Sequence, residues 1–186
     1  MKAIQHLIMA LALSTPLLTG FASSATAQTV QSVPEVDLQQ YSGTWYEIAS
    51  FPSFFQRREC VGTSATYTVN TDGSIKVWNQ CYYPGHQGGW KLDRIEGRAT
   101  VANAPQNSQL KVSFAGPFAG DYWIIDLDDN YQYALVGTPS RNYLWILSRD
   151  PQMDPGTYAS LLEKARVQGF DTTRLSRTPS VAESQR

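Results

Sequence analysis

The sequence predicts an all-β domain, a barrel or a sandwich, of eight short strands followed by one amphipathic helix. Three observations carry this. Short alternating apolar runs recur along the chain with turn residues between them. Aromatic residues, which favour strands, make up 12% of the chain, with 10 Tyr and 5 Trp. One late segment instead carries the start and stop signals of a helix.

The strands are expected at Thr44–Phe51, Thr63–Val69, Ser74–Tyr82, Arg94–Val101, Gln109–Phe114, Tyr122–Leu127, Tyr131–Gly137 and Tyr143–Arg149. The breakers between them are Asp72-Gly73, Pro84-Gly85, Pro105, Gly116-Pro117, Asp128-Asp129-Asn130 and Thr138-Pro139. In the late segment Asp154 is placed to cap a helix with Pro155 at its first position. Tyr158, Leu161, Leu162, Ala165 and Val167 approximate one apolar face, and Gly169 ends the helix.

Residues 1–27 read as an export signal: Met1-Lys2, then the mostly apolar stretch Leu7 to Phe21, then the small-x-small site Ala25-Thr26-Ala27. Cleavage is expected after Ala27, followed by a loose leader over 28–36, the folded domain over 37–177 and a disordered tail over 178–186. The expected product is exported, periplasmic or secreted, and soluble. No cysteine precedes Cys60, so it is not expected to be a lipoprotein. Charge excludes one partner class. The chain holds 15 basic and 16 acidic residues, and no basic run suits a phosphate backbone, so nucleic acid is not an expected partner.

The second and third strands set a register. Thr71-Asp72-Gly73 fits a three-residue hairpin loop with Gly73 left-handed. Val69 then faces Ile75, Tyr67 faces Val77 and Ala65 faces Asn79, all on one side of the sheet. Lys76, Trp78 and Gln80 point away; the place of Trp78 on that side has no sequence rationale. Cys60 and Cys81 are the only cysteines, and in an oxidising compartment such a pair is read as a disulfide. Cys81 faces Thr63, so a bend at Gly62 is needed to bring the sulfurs together. No metal site is expected: His86 is the one histidine beyond the signal, and no Cys-x-x-Cys spacing occurs.

The segment Tyr41-Ser42-Gly43-Thr44-Trp45-Tyr46-Glu47-Ile48-Ala49 resembles the first signature of the lipocalin family, Gly-x-Trp-Tyr-x-x-Ala. Asp121–Asp128 with Tyr131–Gly137 resembles the second signature, and Leu144–Arg149 the third. The likeness runs from about Val36 to about Leu175 and is greatest to bacterial lipocalins and apolipoprotein D. It implies an eight-stranded antiparallel up-and-down β-barrel, a calyx, with the C-terminal helix packed outside. In such a barrel the first and last strands close on each other. Trp45 begins one and Arg149 ends the other, so both lie at one end, where the guanidinium stacks on the indole. The resemblance implies the same packing at a closed base, and Trp45 and Arg149 are assigned to structure.

An eight-stranded barrel has room for one small ligand. Alternation places Tyr67, Val77, Asn79, Phe114 and Trp145 inward. In the sixth strand either Tyr122, Ile124 and Asp126 or Trp123, Ile125 and Leu127 face in, and the resemblance favours Tyr122. The buried amide of Asn79 needs a partner, either a ligand headgroup or an internal tyrosine. The loops at the open end carry Phe51, Phe54, Phe55, Tyr82, Tyr83, Trp90 and Phe118. This aromatic rim is either loop packing or a greasy mouth that touches membrane transiently. The resulting expectation is binding, transport or storage of a small hydrophobic ligand, such as a fatty acid or lysophospholipid, with no cofactor and no catalytic residue. The alternatives are a protein-interaction module using the mouth, or an isomerase using a cavity thiol.

Overall fold

A computed structural model describes residues 29–54, 56–86 and 88–185. The expected export signal and Phe55 lie outside the described residues. A short helix, α1 (Leu38–Tyr41), precedes eight strands: β1 (Gly43–Ser50), β2 (Val61–Val69), β3 (Ile75–Pro84), β4 (Trp90–Val101), β5 (Gln109–Ser113), β6 (Gly120–Leu127), β7 (Tyr133–Gly137) and β8 (Leu144–Ser148). Helix α2 (Pro155–Val167) and the two-residue strand β9 (Ser176–Arg177) follow. Each strand from β2 to β7 pairs with the next, and β1 pairs with both β8 and β2, so the sheet closes into an antiparallel up-and-down barrel.

The hairpin register is the one that alternation requires: Val69 opposes Ile75, Tyr67 opposes Val77 and Ala65 opposes Asn79. Trp78 does point outward, and there the Arg94 guanidinium covers its ring at 4.0 Å from the centroid. Gly62 supplies the bend. It takes a left-handed φ of 58° where the β2–β3 register shifts between Val61 and Ser64. This brings Cys60 to Cys81, and the two form a disulfide with Cα atoms 5.4 Å apart.

Two apolar clusters divide the molecule. One fills the lower barrel with Tyr41, Trp45, Val77, Leu110, Ile124 and Val136 among its members. The other lies outside the wall, where Ile48, Ile125, Leu135, Leu144 and Ile146 meet Leu161, Ala165 and Phe170. Successive residues of β8 alternate between them: Leu144 and Ile146 go to the helix, Trp145 and Leu147 to the interior. Asp154 caps α2 by accepting from Thr157 N–H at 2.9 Å. Leu161 and Ala165 are its buried residues; Val167, expected on the same face, is 63% exposed because two residues past Ala165 the helix has turned it about 200° away.

The two segments expected as a loose leader and a disordered tail both make defined contacts with the barrel. The leader is strapped to the barrel: Val30 and Val36 are buried, Val33 N–H donates to Ile124 O (2.8 Å), and Val36 N–H donates to Gln106 O (2.8 Å). The tail is also docked. The lower part of β1, Gly43–Tyr46, pairs with β2, but higher up Ala49 and Ser50 pair with Arg177 and Ser176 of β9. Thr178 N–H then donates to Ile48 O (3.0 Å), and Gly62 N–H donates to Pro179 O (2.8 Å). Residues 176–179 therefore bridge the gap where β1 and β2 diverge.

Candidate ligand cavity

The base is sealed by backbone-directed chemistry. The Arg149 guanidinium lies 4.0 Å from the Trp45 ring centroid. It also donates to the carbonyls of Thr44 (2.9 Å), Gln40 (2.7 Å), Tyr41 (3.2 Å), Ser42 (2.9 Å) and Tyr131 (3.2 Å). Trp45 Nε1–H donates to Tyr41 O at 2.8 Å. One cation thus ties α1, the start of β1 and the β6–β7 connection to the end of β8.

Above this floor the barrel encloses a cavity of about 1110 Å³. Tyr67, Val77, Asn79, Phe114, Tyr122 and Trp145 all line it. The sixth-strand ambiguity has a structural answer. The β6–β7 register shifts between Ile124 and Asp126. Before that bulge Tyr122 and Ile124 belong to the interior, while Trp123 and Ile125 pack under α2. After it Leu127 turns inward, and Asp126 turns out to meet Lys164 Nζ at 2.8 Å. Each alternative holds on one side of the bulge.

Three phenols meet low in the cavity. Tyr122 Oη lies 2.7 Å from Tyr41 Oη and 2.9 Å from Tyr67 Oη. Burial pushes the Tyr67 phenol up to about 12 and the Tyr41 and Tyr122 phenols well above their usual range. All three stay protonated near neutrality. Tyr122 also stacks on Trp145 (centroids 6.5 Å), which stacks on Tyr143 (5.8 Å), giving a continuous aromatic wall. Asn79 finds no tyrosine: its Oδ1 is buried with no hydrogen-bond partner among the described residues.

The alternation from Trp45 also brings in a residue that the sequence reading passed over. Glu47 is 9% exposed and lines the cavity. Its Oε1 accepts from Thr178 Oγ1 (2.5 Å), Ser50 Oγ (3.0 Å) and Gln56 Nε2 (3.3 Å). Burial raises its pKa, and these hydrogen bonds oppose the rise.

The expected rim divides. Phe54 and Phe118 line the cavity mouth and are 91% and 83% exposed. Tyr82 and Trp90 do not line the cavity. Tyr82 alternates outward from Cys81 and lies beside Gly62 and Val181, and Trp90 pairs with Pro84 at the open-end terminus of the β3–β4 ladder. Phe51 is buried against Phe170 (centroids 6.4 Å) beneath Arg174, because β1 carries it to the helix side. Both cysteines stand at the cavity wall in disulfide form, so no thiol is free among the described residues.

Comparison with known proteins agrees with this architecture. A family model described as a lipocalin-like domain matches residues 36–180. The chain is 45% identical over 158 residues to temperature-induced lipocalin-1 of Arabidopsis thaliana, covering 81% of this chain and 82% of that protein. It is 40% identical over 167 residues to the outer membrane lipoprotein Blc of Escherichia coli K12, covering 90% and 92%. Among solved structures, insecticyanin of the tobacco hornworm Manduca sexta superposes with a TM-score of 0.66 at 19% identity, over 85% of this chain and 88% of that one. With its closed barrel, flanking helix and Trp45–Arg149 seal, the chain belongs to the lipocalin family.

Proposed function

We propose that this protein binds, stores or carries one small apolar amphiphile, a fatty acid or lysolipid, with its acyl chain inside the barrel. The carrying observation is the cavity of about 1110 Å³, whose aliphatic and aromatic walls, Tyr67, Val77, Val112, Phe114, Trp145 and Leu147 among them, are interspersed with polar and charged side chains. Such a site needs no chemistry, only exclusion of water from the chain. The ligand walls are Tyr67, Val77, Phe114, Tyr122 and Trp145, with Asn79 as a polar contact. The exposed Phe54 and Phe118 favour uptake of the ligand from a lipid surface by transient contact. The reading includes export to an oxidising compartment, supported by the Cys60–Cys81 bridge. No enzymatic step is part of it.

Titration with saturated fatty acids of increasing length tests this. Each buried methylene contributes about 0.8 kcal/mol, so affinity should rise about fourfold per carbon and level off once the cavity is full. Trp145→Ala should weaken binding more than tenfold while the barrel stays folded. A series with no binding at micromolar protein would overturn the reading and leave the mouth as a surface for a protein partner.

A further inference from the structure

Among the described residues Glu47 is the one buried carboxylate, and its two oxygens are treated differently. Oε1 accepts all three hydrogen bonds, from Thr178, Ser50 and Gln56. Oε2 accepts none from the described residues. Nor is Oε2 sealed off: Ser53 Oγ and Asn79 Oδ1 are the described buried side-chain atoms lacking a partner, and Glu47 lines the cavity. The three donors on one oxygen fix the carboxylate plane and leave the other oxygen presented to whatever fills the space.

Among the described residues no cation pairs with this group. The arginines that reach the cavity are engaged elsewhere: Arg57 pairs with Asp93 at 2.9 Å, and Arg94 covers the outer face of Trp78. Lys111 is held by Asp121 at 2.6 Å. A buried carboxylate with hydrogen bonds but no counter-ion is an incomplete pair, and its desolvation cost is recovered when a cation arrives. The surroundings suit that cation. On the same inner face, Glu47 opposes Leu147 across the β1–β8 ladder, and Trp145 follows two residues away in the stack with Tyr143 and Tyr122. Aromatic faces beside a carboxylate are the surroundings that favour an ammonium group.

We propose that Glu47 Oε2 is a headgroup subsite for a protonated amine, so that the cavity selects amphiphiles with an ammonium head over those with a carboxylate or hydroxyl head. The proposal rests on the acyl-binding reading above. It also gives the Thr178, Ser50 and Gln56 contacts a function: they orient the acceptor before the ligand arrives, which lowers the ordering cost of binding. Fatty acids still bind through their chains, but their heads must stay clear of Glu47.

Affinities of dodecylamine, dodecanol and dodecanoate, measured by displacement of a fluorescent acyl probe at pH 7.5, test it. The wild-type protein should bind the amine at least tenfold more tightly than the alcohol, and the alcohol more tightly than the acid. In Glu47→Gln the side-chain oxygen can still accept from the same three donors, and the charge is gone. The amine-to-alcohol ratio should then fall below threefold. An amine preference under threefold in the wild type overturns the proposal without any variant, as does a preference that survives Glu47→Gln. If alcohol and acid bind with chain-length dependence while the amine gains nothing, only the subsite fails. If none of the three displaces the probe, the acyl-binding reading fails with it.

Discussion

Replacing Arg149 by alanine should destabilise the barrel and leave its cavity able to bind. The guanidinium makes one cation–π contact, worth about 0.5–2 kcal/mol, and donates to five carbonyls. Each such hydrogen bond contributes about 1 kcal/mol net where water cannot replace it. Arg149 is half-buried. Water therefore recovers part of the loss, and the contributions do not simply add. A net loss of about 2–4 kcal/mol follows. In a domain of this size each kcal/mol moves Tm by about 2–4 °C, which gives a fall of roughly 5–15 °C. Calorimetry of wild type, Arg149→Ala and Arg149→Lys measures it. The lysine variant should recover little, because an ammonium cannot both stack flat on Trp45 and reach carbonyls on three segments. An unchanged Tm together with lost acyl binding would refute the reasoning and move Arg149 from the seal to the binding site.

Tyr122→Phe should cost about 1–3 kcal/mol, because it removes the hydroxyl that joins Tyr41 and Tyr67 and leaves both phenols without their partner; denaturant unfolding reads this, and a change below 0.5 kcal/mol would contradict it. The Cys60–Cys81 bridge spans 21 residues, so reduction should lower stability by about 3 kcal/mol, seen as a lower midpoint in denaturant with dithiothreitol. Glu47 should make stability depend on pH in an unusual direction for a carboxylate. Its folded pKa lies above its unfolded one, so the folded state holds more protons between the two, and stability falls as pH rises through that window. Glu47→Gln should therefore gain stability relative to wild type from pH 4 to pH 8, and parallel pH profiles for the two proteins would show that the shift is absent.

Much of the barrel was legible because period-two alternation is a local signal. The β2–β3 register followed from one turn and the inward placement of Tyr67, Val77 and Asn79. The inward stack of Trp145 and Leu147 followed in the same way. Alternation failed where the chain broke it. The shift between Ile124 and Asp126 inserts a residue and reverses the facing, and neither residue type announces it. Glu47 was passed over for a different reason. An acid in a strand reads as solvent-facing, and its burial depends on donors from residues 50, 56 and 178 that no local pattern connects. Position in the chain did not separate lining from bystander at the open end: the outward face of β3 takes Tyr82, and Trp90 ends the β3–β4 ladder there without lining the cavity. The polar residues around Thr178 gave no hint of order, since what orders them is the gap they fill.

That gap has a practical consequence for anyone handling the protein. The vessel's side wall is completed by a patch, residues 176–179, held at one edge by Ile48 and Ala49 and at the other by Gly62. Deleting it would strand the Ile48 carbonyl and the Gly62 amide and remove the Thr178 hydroxyl from Glu47. Water would then enter sideways at the depth of the carboxylate, well below the aromatic mouth. A chain trimmed before Ser176 to aid crystallisation would keep all eight staves and still leak, and affinities measured on it would describe a different container.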